Sequence, residues 1–335
     1  MEDTTLESML LECDQAEGKQ EKIKAKMKIC YHLHSKRQID EGRKHGEEIF
    51  LMAEEIGDKS SICQIHTLIA QGYLSVGKKE SAKEYLDKAL VVVEEIENPT
   101  LFGVICVAYS NLEFISSNYD IAIEWLQKAE KAFILNDQTH RLPLIYVNFG
   151  NSYLMLKKYD LAMEYYHKAV DMLKDSDERF RVFDCIAVVY HHVNDFERAD
   201  DYMKKAYKYY HDINDKQYLA QCASFFGIIK LARKQYNNAL KYAQEALILA
   251  EDLKFGMVQF RALVIIAQVY LEIDEIDKAK EYYERALELE NTCYDKAFLK
   301  RFYENYGILL IKLNNTELAK EYNEKYEAVA KELDK

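Results

Sequence analysis

Small side chains recur at fixed positions along the chain and divide it into eight copies of one unit. In each copy two small residues lie twelve positions apart, and successive copies are 40 residues apart, except for a step of 37 between the fourth and fifth. The first members of the pairs are Cys30, Ala70, Ser110, Gly150, Ala187, Gly227, Ala267 and Gly307. The second members are Gly42, Ala82, Ala122, Ala162, Ala199, Ala239, Ala279 and Ala319. Such periodicity is the mark of a repeat architecture.

Each small residue is expected to mark the point where two helices touch. A third position, seven residues after the second small residue, is alanine in six copies, with Ile49 and Tyr326 in the terminal ones. Helix axes lie about 8–10 Å apart at a contact, and small side chains let them nest. A large residue four places after the second small one is expected to fill the groove on the next copy; examples are Leu86, Leu126, Tyr166, Met203 and Tyr283.

The terminal copies are expected to differ because the end units of a repeat array face water on one side. On this interpretation Gly42, His45 and Gly46 in the first copy replace packed positions.

Short polar segments separate the two helices of each copy, for example LKKYD at 156–160 and VNDFE at 193–197. A unit of this length holds two helices of roughly 16 residues, each about 24 Å long. The pattern predicts an all-α protein, a right-handed α-solenoid of about eight helix-turn-helix repeats. We expect residues 1–19 to form a leader or cap, and residues 20–335 to form one superhelix whose last repeat is the C-terminal cap.

Composition and charge narrow the classes of function. Hydrophobic residues make up 49% of the chain, with only 11 Gly and 2 Pro, which favours helices with short connections. A net charge of −12 argues against direct binding of nucleic acid. Seven scattered cysteines without a CxxC pair, and the absence of a signal sequence or a long apolar segment, indicate a cytoplasmic protein that does not span a membrane.

The segment NFGNSYLMLKKYDLAMEYYHKAV at 148–170 resembles a tetratricopeptide (TPR) repeat, as does AQVYLEIDEIDKAKEYYERALEL at 267–289. The resemblance covers about residues 20–332. Two features depart from the family pattern: the repeat has 40 residues rather than the commoner 34, and the first-helix Trp is replaced, for example by Tyr146, Phe183, Leu263 and Tyr303. Long repeats of this kind resemble those of peptide-pheromone receptors, peptide-binding scaffolds and sensory arrays of signalling enzymes. HEAT repeats share the period but not the small-residue pattern.

The resemblance implies that the first helices line a concave surface that binds peptides. Exposed inner positions are expected six and three residues before the first small residue, and one and four after it. Asparagine suits this surface because its amide donates to and accepts from a peptide bond at once. The expected peptide-binding residues are Asn111, Asn148, Asn151, Arg181, Asp184, His191, Gln221, Arg261, Gln268, Arg301 and Asn305.

The arginines in this set indicate a carboxylate on the ligand. An alternative is open for two of them, because Arg181 and Arg301 each have an acidic residue three positions later, Asp184 and Glu304, with which they can pair within their own helix. Only Arg261 lacks such a neighbour.

The step of 37 residues removes three residues from the second helix of the fourth copy. We expect this to change the local superhelical rotation beside a polar cluster. The cluster contains Asn148, Asn151, Arg181, Asp184, His191 and His192. This is the predicted ligand pocket; a deletion without functional consequence is the alternative.

No catalytic motif is evident, and no cofactor is expected. Adjacent side chains on a helix point about 100° apart, so His191 and His192 do not form an obvious metal site. The leading hypothesis is a non-catalytic scaffold that binds a peptide or an extended protein segment. The alternative is a peptide-sensing signalling regulator or the sensory region of a larger protein. Only about 20 residues precede the first repeat, too few for an N-terminal helix-turn-helix output domain. Homo-oligomerisation is left open.

Overall fold

The computed structural model describes residues 5–36, 38–293 and 295–333, and these contain seventeen α-helices and no strand. The chain divides after Asp175 into two compact units.

The first unit contains α1 (Leu6–Gln15) and four helix pairs, each corresponding to one copy of the repeat. The pairs are α2 (Lys19–Ser35) with α3 (Ile39–Ile56), α4 (Lys59–Ser75) with α5 (Lys79–Ile96), α6 (Pro99–Ile115) with α7 (Tyr119–Leu135), and α8 (Leu142–Met155) with α9 (Tyr159–Met172).

The second unit contains the other four pairs. They are α10 (Phe180–His192) with α11 (Phe196–Asp212), α12 (Lys216–Ala232) with α13 (Tyr236–Asp252), α14 (Gly256–Glu272) with α15 (Ile276–Leu287), and α16 (Lys296–Lys312) with α17 (Thr316–Leu333). Within each unit every first helix contacts its own second helix, and first helices of neighbouring copies also touch, as α4 contacts α6 and α12 contacts α14. The predicted all-α solenoid of eight repeats is confirmed.

The small residues lie where the helices touch. All eight second members of the pairs are buried, and seven of the eight first members are buried, Gly307 being half-buried. The large residues four positions after the second small residue pack against neighbouring helices. Tyr283 leans on the next copy, with its ring 5.5 Å from that of Tyr306. Tyr166 packs closely on the first helix of its own copy, because a Cβ on Gly150 would lie 2.4 Å from its ring. The expected contact of Tyr166 with the next copy stays a prediction.

The turn within each copy from the second to the eighth contains one residue in the left-handed conformation. These residues are Gly77, Ser117, Lys157, Asn194, Lys234, Asp274 and Asn314. The next N–H then donates to the carbonyl five residues earlier, as from Lys158 to Tyr153 at 2.9 Å. This Schellman arrangement satisfies carbonyl groups that a helix end leaves open. Six of the seven positions accept the strain of a left-handed conformation without glycine.

The expected shortening in the fourth copy is confirmed. Helix α9 has 14 residues, whereas α3, α5 and α7 have 17 or 18. A 3₁₀ turn at Asp177–Arg179 follows it and leads into α10. The expected change of superhelical rotation at this step stays a prediction.

Gly42 and Gly46 in the first copy are packed residues, and the expectation that they reflect a water-facing end is wrong. A Cβ on Gly42 would lie 2.5 Å from the ring of His34, and a Cβ on Gly46 would lie 2.7 Å from Ile69 Cδ1. Larger side chains from α2 and α4 therefore use the space that these glycines leave. Helix α1, within the predicted leader, also packs on α2 through the buried Cys13.

Candidate functional site

Three first helices of the first unit, α4, α6 and α8, enclose a pocket with a volume of about 380 Å³. We call it the asparagine pocket because it gathers three of the predicted residues, Asn111, Asn148 and Asn151. Its other lining residues are Gln71, Leu74, Ser75, Ser110, Phe114, Ile115 and Ser152. None of these side chains is ionisable, so the pocket presents amides and hydroxyls beside an apolar surface.

The side chain of Asn151 is oriented by a contact between the two helices of its copy. The hydroxyl of Tyr166 on α9 donates to Asn151 Oδ1 at 2.7 Å. This approach requires Gly150, because any Cβ there would overlap the ring of Tyr166. The contact occupies a lone pair of Asn151 Oδ1 and fixes the direction of its amide NH₂ group.

Asn148 and Asn111 keep their amide groups available. Among the described residues, neither side chain makes a hydrogen bond, and both are half-buried. The backbone carbonyl of Asn148 accepts the hydroxyl of Ser152 at 2.9 Å, so that buried serine is satisfied within the helix. Two unpaired carboxamides beside a third that is held in place can donate to and accept from an extended main chain.

A second pocket, of about 200 Å³, lies within the second unit and is lined by residues of α10, α12 and α16 together with Asp295. We call it the arginine pocket. It brings together two predicted residues, His191 and Arg301, with the rings of Phe225 and Phe298.

Arg301 is oriented by its neighbours. Its Nε donates to Gln268 Oε1 at 3.1 Å, and its carbonyl accepts from Asn305 Nδ2 at 2.9 Å. The prediction thus named four residues that the structure connects: His191, Gln268, Arg301 and Asn305. Arg301 thus hydrogen-bonds to Gln268 rather than to Glu304, the alternative partner within its own helix.

Burial controls the charges in the arginine pocket. It lowers the pKa of His191 to about 4, with further lowering by His192 and Arg301, so the imidazole is neutral at pH 7. Burial also lowers the pKa of Arg301, which stays protonated at neutral pH. Asp295 is held at the start of α16, where its side chain accepts the N–H of Phe298 at 3.1 Å. The pocket therefore presents the guanidinium of Arg301 beside apolar rings, with the carboxylate of Asp295 at the start of α16 also in the lining.

Arg261 is not an exposed inner residue, and this part of the prediction is wrong. Only 5% of it is exposed. Its guanidinium lies 4.2 Å from the ring centre of Phe225 and 5.8 Å from that of Phe298, and it donates to Ser224 Oγ at 3.3 Å. Arginine stacks well on aromatic faces, so the position six before the small residue becomes a packed one in this copy.

The remaining predicted residues lie outside both pockets. The guanidinium of Arg181 is 5.0 Å from the ring centre of Tyr218. Asp184 accepts the N–H of Cys185 at 2.7 Å, and desolvation raises its pKa to about 6. Gln221 is half-buried, and its carbonyl accepts the hydroxyl of Ser224. The predicted ligand pocket at the 37-residue step joins residues of both units and stays a prediction.

The sequence prediction missed Ser110, Ser152, Asp295 and Phe298 as pocket residues. Ser110 carried a weak signal, since it is the only serine among the first small residues. The others gave none, because whether Ser152 or Phe298 reaches a pocket depends on the stagger of neighbouring helices.

Other features of the chain bear on its chemistry. Six of the seven cysteines are buried, and Cys185 is half-buried. Burial raises the pKa of the Cys30 and Cys106 thiols to about 12, which keeps them protonated. None of the helices in the described part of the chain combines the length and the apolar character that crossing a membrane requires.

Comparison with known proteins gives the family. The model of the MalT-like TPR region matches residues 63–332. The chain belongs to the MalT-like TPR region family. No curated protein matches the sequence significantly.

Several solved structures share the fold of this MalT-like TPR region. One is the Rap conjugation gene regulator of the plasmid pLS20 in complex with a Phr peptide, with 14% identity, a TM-score of 0.68 and coverage of 98% of this chain and 94% of that one. Another is a Rap protein complexed with Competence and Sporulation Factor, with 17% identity, a TM-score of 0.63 and coverage of 93% and 98%. A third is a STAND signal-transduction ATPase with a TPR sensor from Pyrococcus horikoshii, with 18% identity, a TM-score of 0.59 and coverage of 90% and 44%.

Proposed function

We propose that the protein is a non-catalytic peptide receptor whose asparagine pocket holds the main chain of a peptide or an extended protein segment. The observation that carries the proposal is the convergence of Asn111, Asn148 and Asn151 from two neighbouring first helices on one uncharged pocket. Main-chain amides are uncharged donors and acceptors, which this lining matches.

The hydrogen bonds around the asparagine pocket give its three asparagines different roles. Asn148 and Asn111 bind the peptide through both halves of their carboxamides. Asn151, whose oxygen accepts from Tyr166, acts mainly as a donor. Phe114 and Leu74 provide the apolar contact for one side chain of the bound segment. This division makes the recognition largely independent of peptide sequence.

The arginine pocket of the second unit adds a binding site for a carboxylate, either at the peptide C-terminus or on an acidic side chain. Arg301 is held by Gln268 and lies beside Phe225 and Phe298, where a charge-assisted hydrogen bond is stronger than in water. Two of the solved structures with this fold are complexes, one with a Phr peptide and one with Competence and Sporulation Factor, which agrees with the proposal.

Selection of random-sequence peptides on the intact protein tests the proposal. The affinity of an enriched peptide is then measured by fluorescence anisotropy for the wild type, Asn148→Ala and the control Asn237→Ala. We expect Asn148→Ala to weaken binding about tenfold, because a lost buried hydrogen bond costs about 1–1.5 kcal/mol. Asn237 lines a different surface groove, in the second unit. Equal affinities for wild type and Asn148→Ala, or a selection without any binder, would refute the proposal.

A second candidate is the sensory region of a larger signalling protein, in which peptide occupancy controls an output partner. The similarity to the STAND ATPase favours it, since this chain corresponds to 44% of that one. Determining whether the native gene continues past Lys335 decides between the two candidates.

A further inference from the structure

The first unit has another pocket, which shares no lining residue with the asparagine pocket. It is a cleft of about 570 Å³ between α3 and α5, and α4 forms its floor. We call it the α3–α5 pocket. Its apolar lining residues are Phe50, Ile62, Ile69, Tyr85, Val91 and Val92. This pocket plays no part in the proposed peptide binding.

The lining also contains polar side chains. Among the described lining residues five are charged and exposed, and His66 is the one buried polar side chain. The charged residues are Glu47, Glu54, Lys59, Lys88 and Glu95.

His66 stands four residues before the first small residue of its copy, where the later copies have Cys106, Tyr146, Phe183, Ala223, Leu263 and Tyr303. Its ring stacks on Phe50 with centroids 5.4 Å apart and meets the edge of Tyr85 at 5.8 Å. Only 9% of the residue is exposed. A histidine at a packed position is unusual unless its ring nitrogens make hydrogen bonds.

The two ring nitrogens of His66 differ in their surroundings. Nδ1 is fully buried and has no hydrogen-bond partner among the described residues. Nε2 is not enclosed in this way, and the ring lines the pocket. Burial, with a smaller effect of Lys88, lowers the pKa of His66 to about 4, so the ring is neutral at pH 7 and carries one N–H. Because an orphaned buried N–H is rarer than an orphaned acceptor, we assign the proton to Nε2. The pocket thus presents the Nε2–H group of His66 as a donor, and an oxygen acceptor on a bound group would satisfy it.

The edge of the pocket resembles the rim of a protein interface. An ion pair between Lys59 and Glu95, at 2.8 Å, connects the start of α4 with the end of α5. Lys88 Nζ lies 4.8 Å from the ring centre of Tyr85. Both helices that flank the cleft carry an exposed aliphatic residue, since Val91 in the α5 lining and Leu51 on α3 are each 59% exposed. An apolar centre within a charged rim, extended by exposed aliphatic residues, fits a partner larger than one small molecule.

We propose that the α3–α5 pocket is a docking site for a tyrosine side chain on the surface of a partner protein. The phenol ring packs against Phe50 and Tyr85, and its oxygen accepts the Nε2–H of His66. Phenylalanine lacks the oxygen, and the indole of tryptophan only donates, so neither satisfies this donor. Surrounding residues of the partner cover Val91 and Leu51.

The second unit supplies a matched control at the same positions of the repeat. Between α11 and α13 a groove contains Tyr207 at the position of Phe50 and Ile248 at that of Val91, and Ile248 is 67% exposed. Here the hydroxyl of Tyr207 donates to the carboxylate of Glu245 at 2.7 Å. The hydroxyl of Tyr207 is therefore already satisfied, and we expect no preference for tyrosine in this groove.

The test uses N-acetyl-tyrosinamide and N-acetyl-phenylalaninamide as probes on the intact chain, with the imidazole signals of His66 followed by NMR. We expect the tyrosine probe to shift these signals with a roughly millimolar Kd. The phenylalanine probe is expected to bind about fivefold more weakly, the factor for one hydrogen bond. For His66→Phe, probe binding is followed by the methyl signals of Val91 and Val92, which line the same pocket. This variant is expected to abolish the preference and keep the packing, since Phe183 occupies the same position of the fifth copy. Val91→Glu weakens both probes, whereas Ile248→Glu leaves the shifts at His66 unchanged.

Equal binding of the two probes, unshifted His66 signals, or equal effects of Val91→Glu and Ile248→Glu would each overturn the proposal. A further comparison separates a protein partner from a free phenol. Selected 12-residue peptides with a central tyrosine are expected to shift the His66 signals with an affinity at least about tenfold higher than that of the amide probe, because they also cover Val91 and Leu51. Val91→Glu should remove this gain, whereas Asn148→Ala in the asparagine pocket should leave it unchanged. No gain over the amide would overturn the assignment to a protein surface.

Discussion

Three glycines at the same position of the repeat are expected to respond in opposite directions to substitution by alanine. A Cβ on Gly150 would lie 2.4–2.8 Å from ring atoms of Tyr166, whereas a Cβ on Gly227 would have its nearest neighbour at 3.5 Å. A Cβ on Gly307 would meet no atom within 4 Å. The packing around each glycine, rather than its repeat position, decides the outcome.

The magnitudes follow from two opposing effects. Alanine is better than glycine in a helix by about 1 kcal/mol. Overpacking a filled contact costs about 1–3 kcal/mol. We therefore expect Gly150→Ala to lower the free energy of unfolding by about 1 kcal/mol. Gly227→Ala and Gly307→Ala are expected to raise it by about 0.5–1 kcal/mol.

Urea denaturation followed by circular dichroism measures these differences. The double variant Gly150→Ala with Tyr166→Met provides a rescue, because the fifth copy pairs Ala187 with Met203 at the same two positions. It should recover most of the loss. If Gly150→Ala is as stable as Gly227→Ala, the inferred approach of Tyr166 to the backbone of α8 is wrong.

Three further predictions concern stability. Lys157→Gly is expected to raise the free energy of unfolding by about 0.5–1 kcal/mol in urea denaturation, because Lys157 has φ of 58° and glycine adopts this conformation without strain. Asp200→Ala should lower it by about 3 kcal/mol, since Lys230 is only 6% exposed and loses its buried carboxylate partner. Thermal melts should show that the wild type loses stability as the pH falls from 6.5 towards 4. The pKa of His66 is about 4 in the folded state, so the unfolded state takes up the proton first. The variant His66→Phe should lose less stability over this pH range.

A specific result would contradict each of these three predictions. A destabilised Lys157→Gly variant would show that the turn does not strain this residue. For Asp200→Ala the control is Asp120→Ala, which removes a surface pair with Lys158 at 3.9 Å and should cost less than about 1 kcal/mol. Similar costs for both would contradict the buried network. Parallel pH profiles for wild type and His66→Phe would contradict the neutral imidazole.

The repeat was predictable from sequence because helix contacts restrict side-chain size at few positions. Ala162 and Ala239 are fully buried where the pattern places them. The convergence of Asn111, Asn148 and Asn151 was also predictable, since equal positions in adjacent copies lie side by side.

Packing that depends on rotamers was not predictable. Arg261 and Arg301 occupy the same position of the repeat, yet the first is buried between phenylalanine rings and the second lines a pocket. Likewise Tyr166 and Tyr283 share a position, yet Tyr166 approaches a glycine of its own first helix, whereas the ring of Tyr283 lies 5.5 Å from that of Tyr306 in the next copy. Neighbouring side chains from other copies decide these outcomes, and sequence spacing does not encode their shapes.

Main-chain recognition by Asn148 is tested most directly by a double-mutant cycle on a selected peptide. Each peptide N–H is replaced in turn by N-methyl, and the affinity is measured for the wild type and for Asn148→Ala. The account predicts that one N-methyl position weakens binding to the wild type about tenfold but has little effect with Asn148→Ala, because both changes remove the same hydrogen bond. Equal effects of every N-methyl group on the two proteins would contradict it.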